Sequence, residues 1–330
     1  MRAASRSDNV NFEDIRAGDR RALSRFLTLV ENSRDVVAEE LAELSRRADD
    51  HQIIGVTGPP GSGKSTLIAA LTKLYREVGR TVAIVAVDPS SPFTGGALLG
   101  DRIRLKALAG DKGVFIRSMA SRGSLGGLAW RTQDVVRVLA AAGFNIVIVE
   151  TVGAGQTEVD IAGLSPTTVV VQAPGAGDDV QANKAGLLEI ADILVVNKSD
   201  LPGAERAKNA LKAMLDLGHP TKAKAQDQPI WVPPIVLTSA IEERGINDLA
   251  ECIASQFSYM QKHGLLVAFQ EAQLRAEFMH RLRETLQRRL FDTFTAEEFA
   301  GIIRRMVQER IEPQRAVDQL LQNVEFRRRK

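Results

Sequence analysis

Eight consecutive residues constrain the fold of this chain more than any other feature. Residues 58–65 read Gly-Pro-Pro-Gly-Ser-Gly-Lys-Ser, a complete G-x-x-x-x-G-K-S phosphate-binding motif. The apolar run 53–56 precedes the motif, and residues 67–71 after it have the composition of a helix. A strand, a glycine-rich loop and a helix in this order predict a phosphate-binding α/β fold, whereas an ordinary glycine-rich turn would not need this context.

The residue types in this loop suit a nucleoside triphosphate. Glycines let backbone N–H groups converge on phosphate oxygens, and the N-terminus of the following helix adds partial positive charge. We predict that Lys64 reaches the β- and γ-phosphates and that the Ser65 hydroxyl ligates Mg²⁺. The predicted phosphate site comprises Gly58, Pro59, Pro60, Gly61, Ser62, Gly63, Lys64, Ser65 and Thr66.

A second motif predicts which base is bound. Residues 197–200 read Asn-Lys-Ser-Asp and follow the apolar run 193–196, so they lie where open α/β sheets bind ligands. An aspartate there can accept from both N1–H and the exocyclic amine of guanine, and adenine offers no matching pair of donors. We assign this role to Asp200, with Asn197 on guanine N7 and the stem of Lys198 along the base. Guanine O6 is predicted to face the loop after a later strand, at Ser239 and Ala240.

Seven apolar runs alternate with helical patterns in the middle of the chain. Because the runs are nearly continuous, they favour buried parallel strands over strands with one solvated face. We predict the α/β class, with a mostly parallel sheet covered by helices on both faces. The runs are Ile53–Val56, Val82–Val87, Val114–Ile116, Ile146–Val149, Thr168–Val171, Ile193–Val196 and Ile235–Leu237.

The sequence predicts three parts. Residues 1–50 favour a helical extension, residues 51–262 a P-loop GTPase domain, and residues 263–330 a helical region. In the last part, apolar residues recur at every fourth position of one long helix. This stripe is predicted to mediate self-association, with docking on the chain's own nucleotide-binding domain as the alternative. Its members are Leu274, Phe278, Leu282, Leu286 and Leu290.

Three acidic residues are candidates for the metal and the attacking water. Asp88 ends the run 82–87, and Glu150 ends the run 146–149. A carboxylate at a strand end beside a phosphate loop can coordinate Mg²⁺, directly or through water, or orient the nucleophile. Asp101 opens a helical segment and could serve a metal-linked switch. The alternatives are a turn cap for Asp88 and a helix N-cap for Asp101.

The loop that begins at Glu150 predicts slow hydrolysis. It reads Glu-Thr-Val-Gly-Ala-Gly-Gln, with glutamate in place of the aspartate that is usual in G proteins. The N–H of Gly153 is predicted to reach the γ-phosphate. Ala154 follows, so the water-orienting glutamine of Ras-like enzymes is missing there, and Gln156 is out of register. We therefore expect a slow intrinsic rate that a partner or a rearrangement accelerates.

Two further loops are predicted to serve something other than minimal GTPase chemistry. Residues 172–184 combine glycines, two acids and a lysine, and they are interpreted as a second switch or a partner surface. Residues 117–127 are basic and glycine-rich. They are interpreted as a flexible solvated loop, with a phosphate-directed arginine as the alternative.

Charge and cysteine content exclude several classes of protein. The 330 residues carry a formal net charge of +2, so neither nucleic acid nor an anionic membrane is required as a partner. A single cysteine, Cys252, excludes a disulfide framework within the chain. No apolar stretch is long enough for a membrane span, and the N-terminal residues have no apolar leader segment. We expect a cytoplasmic protein with no nucleic-acid and no membrane partner.

Five motifs, in this order, resemble those of the MeaB/ArgK-type GTPases. The motifs are Val-Thr-Gly-Pro-Pro-Gly-Ser-Gly-Lys-Ser-Thr, Val-Asp-Pro-Ser-Ser-Pro, Val-Glu-Thr-Val-Gly-Ala-Gly-Gln-Thr-Glu, Pro-Gly-Ala-Gly-Asp-Asp-Val-Gln and Asn-Lys-Ser-Asp. The resemblance extends over about residues 50–260, and the helical flanks agree in arrangement. Members of this family are accessory proteins of adenosylcobalamin-dependent methylmalonyl-CoA mutase.

The resemblance implies a partner and further residue roles. It implies that the chain binds the mutase, gates adenosylcobalamin loading by nucleotide state, protects the mutase, and is stimulated by it. It also implies that Asp88, Asp101 and Glu150 surround the metal and the attacking water, and that helices after the nucleotide-binding domain form a homodimer. An extra switch toward the mutase is implied at Gly175, Asp178, Asp179, Gln181 and Lys184.

Two other functions share this fold class. A nickel-type metal-insertion GTPase would need cysteine or histidine near the nucleotide, but the sequence has no metal-ligand spacing. Its four histidines are scattered at His51, His219, His263 and His280. A small-molecule P-loop kinase would normally lack the Asn-Lys-x-Asp motif, and a comparison of GTP with ATP affinity distinguishes it from a GTPase.

Overall fold

Two compact units make up the chain, Met1–Phe269 and Gln270–Lys330. The computed structural model describes residues 12–16, 18–32, 41, 51–88, 105, 108, 110–120, 127–151, 157–175, 186, 188–218 and 231–322. The domain boundaries that the sequence indicates, after residues 50 and 262, stay predictions.

A parallel sheet of seven strands forms the centre of the first unit. Each of the seven apolar runs lies within one strand, which confirms the predicted α/β class. The order across the sheet is β3-β2-β4-β1-β5-β6-β7, and every neighbouring pair is parallel. The strands are β1 (Gln52–Thr57), β2 (Val82–Asp88), β3 (Val114–Ala120), β4 (Ile146–Thr151), β5 (Thr167–Gln172), β6 (Ile193–Val196) and β7 (Ile235–Leu237).

Helices cover both faces of this sheet. The described helices of the first unit are α1 (Phe12–Arg16), α2 (Arg20–Asn32), α3 (Lys64–Glu77), α4 (Gly127–Ala141), α5 (Thr157–Leu164), α6 (Ala204–Gly218) and α7 (Ile246–Lys262). One core lies between the sheet and helices α3 and α7, and a second lies between the opposite face and helices α2, α4 and α5. Every residue of β4 and β5 is buried, which explains why these runs lack alternation between apolar and polar residues.

The strand order places a ligand crevice at β1. From β1 the chain continues to β2 on one side, and β4 is inserted between them. From β4 the chain then crosses to β5 on the other side of β1. Such a reversal opens a crevice at the carboxyl ends of the strands, where ligands of α/β proteins bind. The loops after β1 and β4 therefore begin side by side at this edge.

Helix α2 packs against the sheet and corrects one prediction. Its apolar side chains Leu23, Phe26 and Leu27 are buried in the core beside α4. Arg117 lies in β3, where its guanidinium donates to Glu31 of α2 at 2.8 Å. The prediction of a flexible loop from Arg117 onward is therefore wrong for residues 117–120, because pairing with β2 extends the strand to Ala120.

The second unit is helical. Helix α8 (Leu265–Phe291) begins before the unit boundary, and α9 (Ala296–Glu309) and α10 (Pro313–Gln322) follow it. Helix α9 begins with a capping box, because the Thr295 hydroxyl accepts from the Glu298 N–H and the Glu298 carboxylate accepts from the Thr295 N–H. The stripe on α8 is exposed at its first four members and partly exposed at Leu290. In the described part of the chain, no helix has the length and hydropathy that crossing a bilayer requires.

Candidate nucleotide-binding site

The loop between β1 and α3 is tightly packed at two glycines. Gly58 has φ 138°, and a Cβ there would lie 2.0 Å from the Val171 carbonyl oxygen in β5. Gly63 has φ 91°, and a Cβ there would lie 2.4 Å from the Asn197 side-chain nitrogen. Because both positions combine a left-handed backbone with no room for a side chain, the loop can keep this shape only with glycine there.

Lys64 folds over this loop. Its Nζ donates to the carbonyl oxygens of Gly58 at 2.8 Å and Pro59 at 3.1 Å, and the residue is only 6% exposed. The ammonium thus lies against the loop that is predicted to hold phosphate. Charged phosphate oxygens are stronger acceptors for an ammonium than neutral carbonyls, so this arrangement suits a group that exchanges carbonyl contacts for phosphate contacts.

Ser65 and Glu150 bring two oxygen ligands together. Ser65 is the second residue of α3, and its hydroxyl donates to Oε1 of Glu150, near the end of β4, at 2.7 Å. The two residues are 5% and 3% exposed. Mg²⁺ binds hydroxyl and carboxylate oxygens. These two side chains therefore fit a magnesium ion next to the phosphate loop, and the longer arm of glutamate still reaches the serine.

The Asn-Lys-Ser-Asp motif follows β6, and a serine orients the carboxylate of its last residue. The buried Ser239 hydroxyl donates to Oδ1 of Asp200 at 2.6 Å. This hydrogen bond, together with the Asp200 backbone N–H and the positive charges of Arg244 and Lys198, holds the pKa of the Asp200 carboxyl below its usual value. The carboxylate is exposed, charged and fixed in direction, as an acceptor for two guanine donors must be.

Asn197 joins the phosphate loop to the loop after β7. Its Nδ2 donates to the Ser62 carbonyl at 3.0 Å, and its Oδ1 accepts from the Thr238 hydroxyl at 3.1 Å and the Ala240 N–H at 3.2 Å. Asn197 is 1% exposed. The side chain therefore connects the two halves of the site, and its contact with guanine N7 stays a prediction.

Lys198 makes a second connection between the two motifs. Its backbone is left-handed, with φ 59°, and its Nζ donates to the Gly61 carbonyl at 2.8 Å. The four-carbon stem thus bridges the base motif and the phosphate loop, consistent with the predicted position along the base. The loop after β7 is also fixed by paired backbone hydrogen bonds between Ser239 and Arg244, and by an ion pair from Lys73 of α3 to Glu243 at 2.8 Å.

Several predicted site residues have less or no description in the structure. Only the backbone of Asp88 is described, at the end of β2 and paired with Ala120. Gly175 lies in a turn after β5. Thr66 lies in the first turn of α3. The predicted positions outside the described residues are Asp101, Gly153, Asp178, Asp179, Gln181 and Lys184. Within the described ranges, no group of three or more His, Cys, Asp or Glu side chains could hold a metal ion.

Sequence reasoning missed two contributors to the site. It placed Ser239 opposite guanine O6 but did not foresee that its hydroxyl orients Asp200. It also overlooked the Lys73–Glu243 ion pair between the helix after the phosphate loop and the base loop. No motif marks either contact, because each joins residues that are distant in sequence and meet only through the sheet order.

The sequence matches a GTPase family and proteins named as GTPases over most of its length. The family described as methylmalonyl-CoA mutase-associated GTPase MeaB matches residues 23–296. A protein of Pyrococcus abyssi that is named a GTPase is 43% identical over 312 residues, covering 94% of this chain and 95% of the relative. GTPase ArgK of Escherichia coli is 37% identical over 243 residues, covering 72% of each chain.

A solved structure shares the fold over nearly the whole chain. A crystal structure described as a LAO/AO transport system kinase superposes with a TM-score of 0.68 and covers 98% of this chain and 99% of its own. Its sequence identity is 24%, so the likeness concerns the fold.

Proposed function

Because the chain belongs to the family of methylmalonyl-CoA mutase-associated GTPases called MeaB, we propose that it serves an adenosylcobalamin-dependent methylmalonyl-CoA mutase. The chain is a GTP hydrolase, an activity that the family description and the names of its relatives state. In the proposed function, nucleotide state controls when the mutase receives its cofactor, and the bound GTPase protects the mutase from inactivation.

The convergence of Lys64, Ser65 and Glu150 at the carboxyl edge of the sheet carries the chemical part of the proposal. Lys64 exchanges its two carbonyl contacts for oxygens of the β- and γ-phosphates. Ser65 and Glu150, whose side chains already meet, would hold Mg²⁺. The family resemblance adds Asp88 and Asp101 as candidate carboxylates for the metal or the attacking water. When bound, the ion neutralises charge that develops on the phosphate oxygens.

Guanine recognition rests on the orientation of Asp200. The Ser239 hydroxyl donates a hydrogen bond to one oxygen of the carboxylate, and this bond fixes the orientation of both oxygens. A charged, fixed carboxylate accepts from N1–H and the exocyclic amine of guanine, whereas adenine presents an acceptor at N1 and is rejected. Asn197 and Lys198 connect this motif to the phosphate loop, because they donate hydrogen bonds to the carbonyl oxygens of Ser62 and Gly61.

The intrinsic rate is proposed to be slow. This proposal rests on the sequence alone: Ala154 follows Gly153, the residue whose N–H is expected to reach the γ-phosphate, at the position where Ras-like enzymes carry the glutamine that orients water. Completion of the site is therefore proposed to depend on the partner. The loop with Gly175, Asp178, Asp179, Gln181 and Lys184 is the proposed switch through which the mutase acts.

Hydrolysis with and without the partner tests this proposal. Purified protein is assayed for GTP hydrolysis alone and with an adenosylcobalamin-dependent methylmalonyl-CoA mutase, and we expect a slow basal rate that the mutase raises many-fold. The Lys184→Ala variant should keep the basal rate and lose most of the stimulation. A basal rate that the mutase does not change would retain the GTPase and refute the mutase partnership.

A second assay tests control of cofactor loading. Binding of added adenosylcobalamin to apo-mutase is measured by absorbance in the presence of the GTPase. The GTPase is supplied with GDP, with GTP, or with no nucleotide. Different binding rates among these conditions are expected if nucleotide state gates loading. Identical rates would leave protection of the mutase as the remaining proposed role. ATP in place of GTP provides the specificity control, because a small-molecule kinase would use ATP.

A further inference from the structure

Two threonine hydroxyls contact each other at the ends of β1 and β4, next to the candidate nucleotide site. Thr57 is the last residue of β1 and directly precedes the phosphate loop, while Thr151 is the last residue of β4 and directly follows Glu150. The Thr151 Oγ1 donates to the Thr57 Oγ1 at 2.8 Å. Thr57 is 0% exposed and Thr151 3% exposed.

The two pairs of side chains lie on opposite faces of the sheet. Val56 is in register with Glu150 across the β1–β4 pair, so the next residues, Thr57 and Thr151, are also opposite each other. Successive side chains of a strand point to opposite faces. Glu150 therefore reaches Ser65 of α3 on one face, and Thr151 contacts Thr57 on the other.

These two contacts differ in what a cation would do to them. A metal at the proposed site would take the Ser65 and Glu150 oxygens as ligands, so the hydrogen bond between them would have to change. The threonine pair faces away from that position and can persist whichever ligand is bound. It is thus a fixed connection between the strand that carries the phosphate loop and the strand that carries the metal carboxylate.

We propose that Thr57 and Thr151 are positioning residues for hydrolysis: their hydroxyl pair sets the distance between the phosphate loop and Glu150 that Mg²⁺ requires. This inference rests on the proposed metal role of Ser65 and Glu150. Magnesium demands nearly ideal octahedral geometry with short bonds to oxygen, so a small displacement of one carboxylate relative to a neighbouring hydroxyl weakens its binding. Loss of the pair should therefore reduce metal affinity rather than nucleotide affinity in the absence of metal.

Burial alone does not account for the pairing. Thr72, one of the described residues of α3, is 0% exposed, and its Oγ1 is buried without a hydrogen-bond partner. The fold therefore tolerates an unpaired buried threonine hydroxyl in the helix that follows the phosphate loop. Thr72→Val is also the matched control, since it removes a buried hydroxyl of the same kind from the helix that carries Lys64 and Ser65.

The test compares Thr151→Val with Thr151→Ser. Valine keeps the shape and removes the hydroxyl, whereas serine keeps the hydroxyl. Two quantities are measured in the full-length protein: single-turnover GTP hydrolysis as a function of Mg²⁺ concentration, and affinity for a fluorescent GDP analogue in EDTA.

We expect Thr151→Val to raise the Mg²⁺ concentration for half-maximal rate roughly three- to tenfold, the factor that corresponds to one lost hydrogen bond. Its affinity for GDP in EDTA should stay within about twofold of wild type, and Thr151→Ser and Thr72→Val should resemble wild type in both measurements.

The same measurements on Thr57→Val give an independent route if Thr151→Val does not fold. The double variant should show no larger shift than either single variant, because both remove the same bond. An unchanged Mg²⁺ dependence in Thr151→Val or Thr57→Val, or an equal loss of GDP affinity in EDTA, would overturn the positioning role. If wild-type protein hydrolyses GTP equally well without Mg²⁺, the metal assignment of Ser65 and Glu150 fails first, and this inference fails with it.

Discussion

The hydroxyl of Ser65 donates to the carboxylate of Glu150 at 2.7 Å, and both residues are more than nine-tenths buried. Ser65 is the second residue of the helix after the phosphate loop, and Glu150 is the last residue but one of β4, the strand beside β1. A neutral hydroxyl and a carboxylate, both suitable ligands for Mg²⁺, thus meet where parallel strands end. The metal assignment can therefore be tested by Glu150→Gln, which replaces one carboxylate oxygen with an amide nitrogen.

Glu150→Gln should abolish most hydrolysis without abolishing nucleotide binding. Glutamine keeps the size and the hydrogen bond from Ser65 but removes the charge that a divalent cation needs. We expect single-turnover GTP hydrolysis to fall on the order of a hundredfold or more, because metal stabilisation of phosphoryl transfer contributes several kcal/mol. Glu150→Asp keeps the charge on a shorter arm and should lose less. Wild-type hydrolysis by the glutamine variant would refute the metal role of Glu150.

Lys64→Ala should remove high-affinity nucleotide binding. The variant loses a buried ammonium and its charge-assisted hydrogen bonds to phosphate, each of which is about twice as strong as a neutral one. We expect GDP affinity, measured by isothermal titration calorimetry, to fall by at least about a hundredfold. Lys212→Ala removes the same charge from the exposed face of α6 and is the control. Equal affinities in the two variants would place phosphate recognition elsewhere.

Asp200→Asn should relax discrimination between guanine and adenine nucleotides. The amide cannot accept from two guanine donors at once, so GDP affinity should fall about a hundredfold while ADP affinity changes little. Ser239→Ala should have a smaller effect in the same direction, because the carboxylate keeps its charge and loses the hydroxyl that orients it. Competition binding with GDP and ADP measures both variants. Unchanged selectivity in Asp200→Asn would mean that another group reads the base.

The sequence was sufficient for the sheet and for the places of two motifs beside it, because these depend on local patterns. Buried parallel strands are short continuous apolar runs, and the seven runs each became one strand. The phosphate loop and the Asn-Lys-Ser-Asp motif each lie within a few consecutive residues, so their position after β1 and β6 follows from the chain order. Strand length was less predictable: β3 continues through Arg117 because β2 pairs with it, and that pairing is not a local property.

Contacts between distant segments could not be read from the sequence. The Ser239 hydroxyl reaches Asp200 because β6 and β7 are neighbours. Thr57 and Thr151 are 94 positions apart in the sequence. They meet because β4 pairs with β1. Each contact depends on strand order and on an exact register, since a shift by one residue would turn the side chains to the other face.

The buried carboxyl of Asp192 should make stability depend on pH. Burial raises the pKa of Asp192 to about 6, although the Thr168 N–H donates to it at 2.7 Å. The folded protein therefore holds this proton more tightly than the unfolded chain, whose pKa is near 3.8. The free energy of unfolding should fall as pH rises through about 4 to 6, by an upper amount of about 3 kcal/mol, and stay low above that range.

Asp192→Asn should remove this dependence. The neutral amide can still accept from the Thr168 N–H, and it carries no charge to desolvate. The free energy of unfolding is measured by urea denaturation, with tryptophan fluorescence as the signal. Trp231 reports on this region, because its Nε1 donates to the Asp192 backbone carbonyl at 2.8 Å. We expect the stability of the variant relative to wild type to increase between pH 4 and pH 7.5. Parallel profiles for the two proteins would show that Asp192 does not titrate in this range.

The stripe on α8 should carry a homodimer interface. Leu274 is 58% exposed and Phe278 64% exposed, and Leu282 and Leu286 continue the same face at 39% and 43%. Four large apolar side chains along one exposed helix face form a patch that usually marks a protein interface. We propose a second copy of this chain as the occupant, since the family resemblance implies a homodimer through these helices.

Phe278→Glu and Leu282→Glu should convert a dimer into a monomer. A charge in an apolar interface must be desolvated without a partner, which costs several kcal/mol and shifts dissociation by orders of magnitude. Sedimentation velocity at micromolar concentration measures the oligomeric state. Leu217→Glu, on α6 in the other unit, also replaces an exposed leucine and should leave the state unchanged. The candidate nucleotide-binding residues all lie in the first unit, so GDP binding in EDTA should be the same in all three variants. A monomeric wild type, or dimers that survive both substitutions on α8, would show that the stripe does not form the interface.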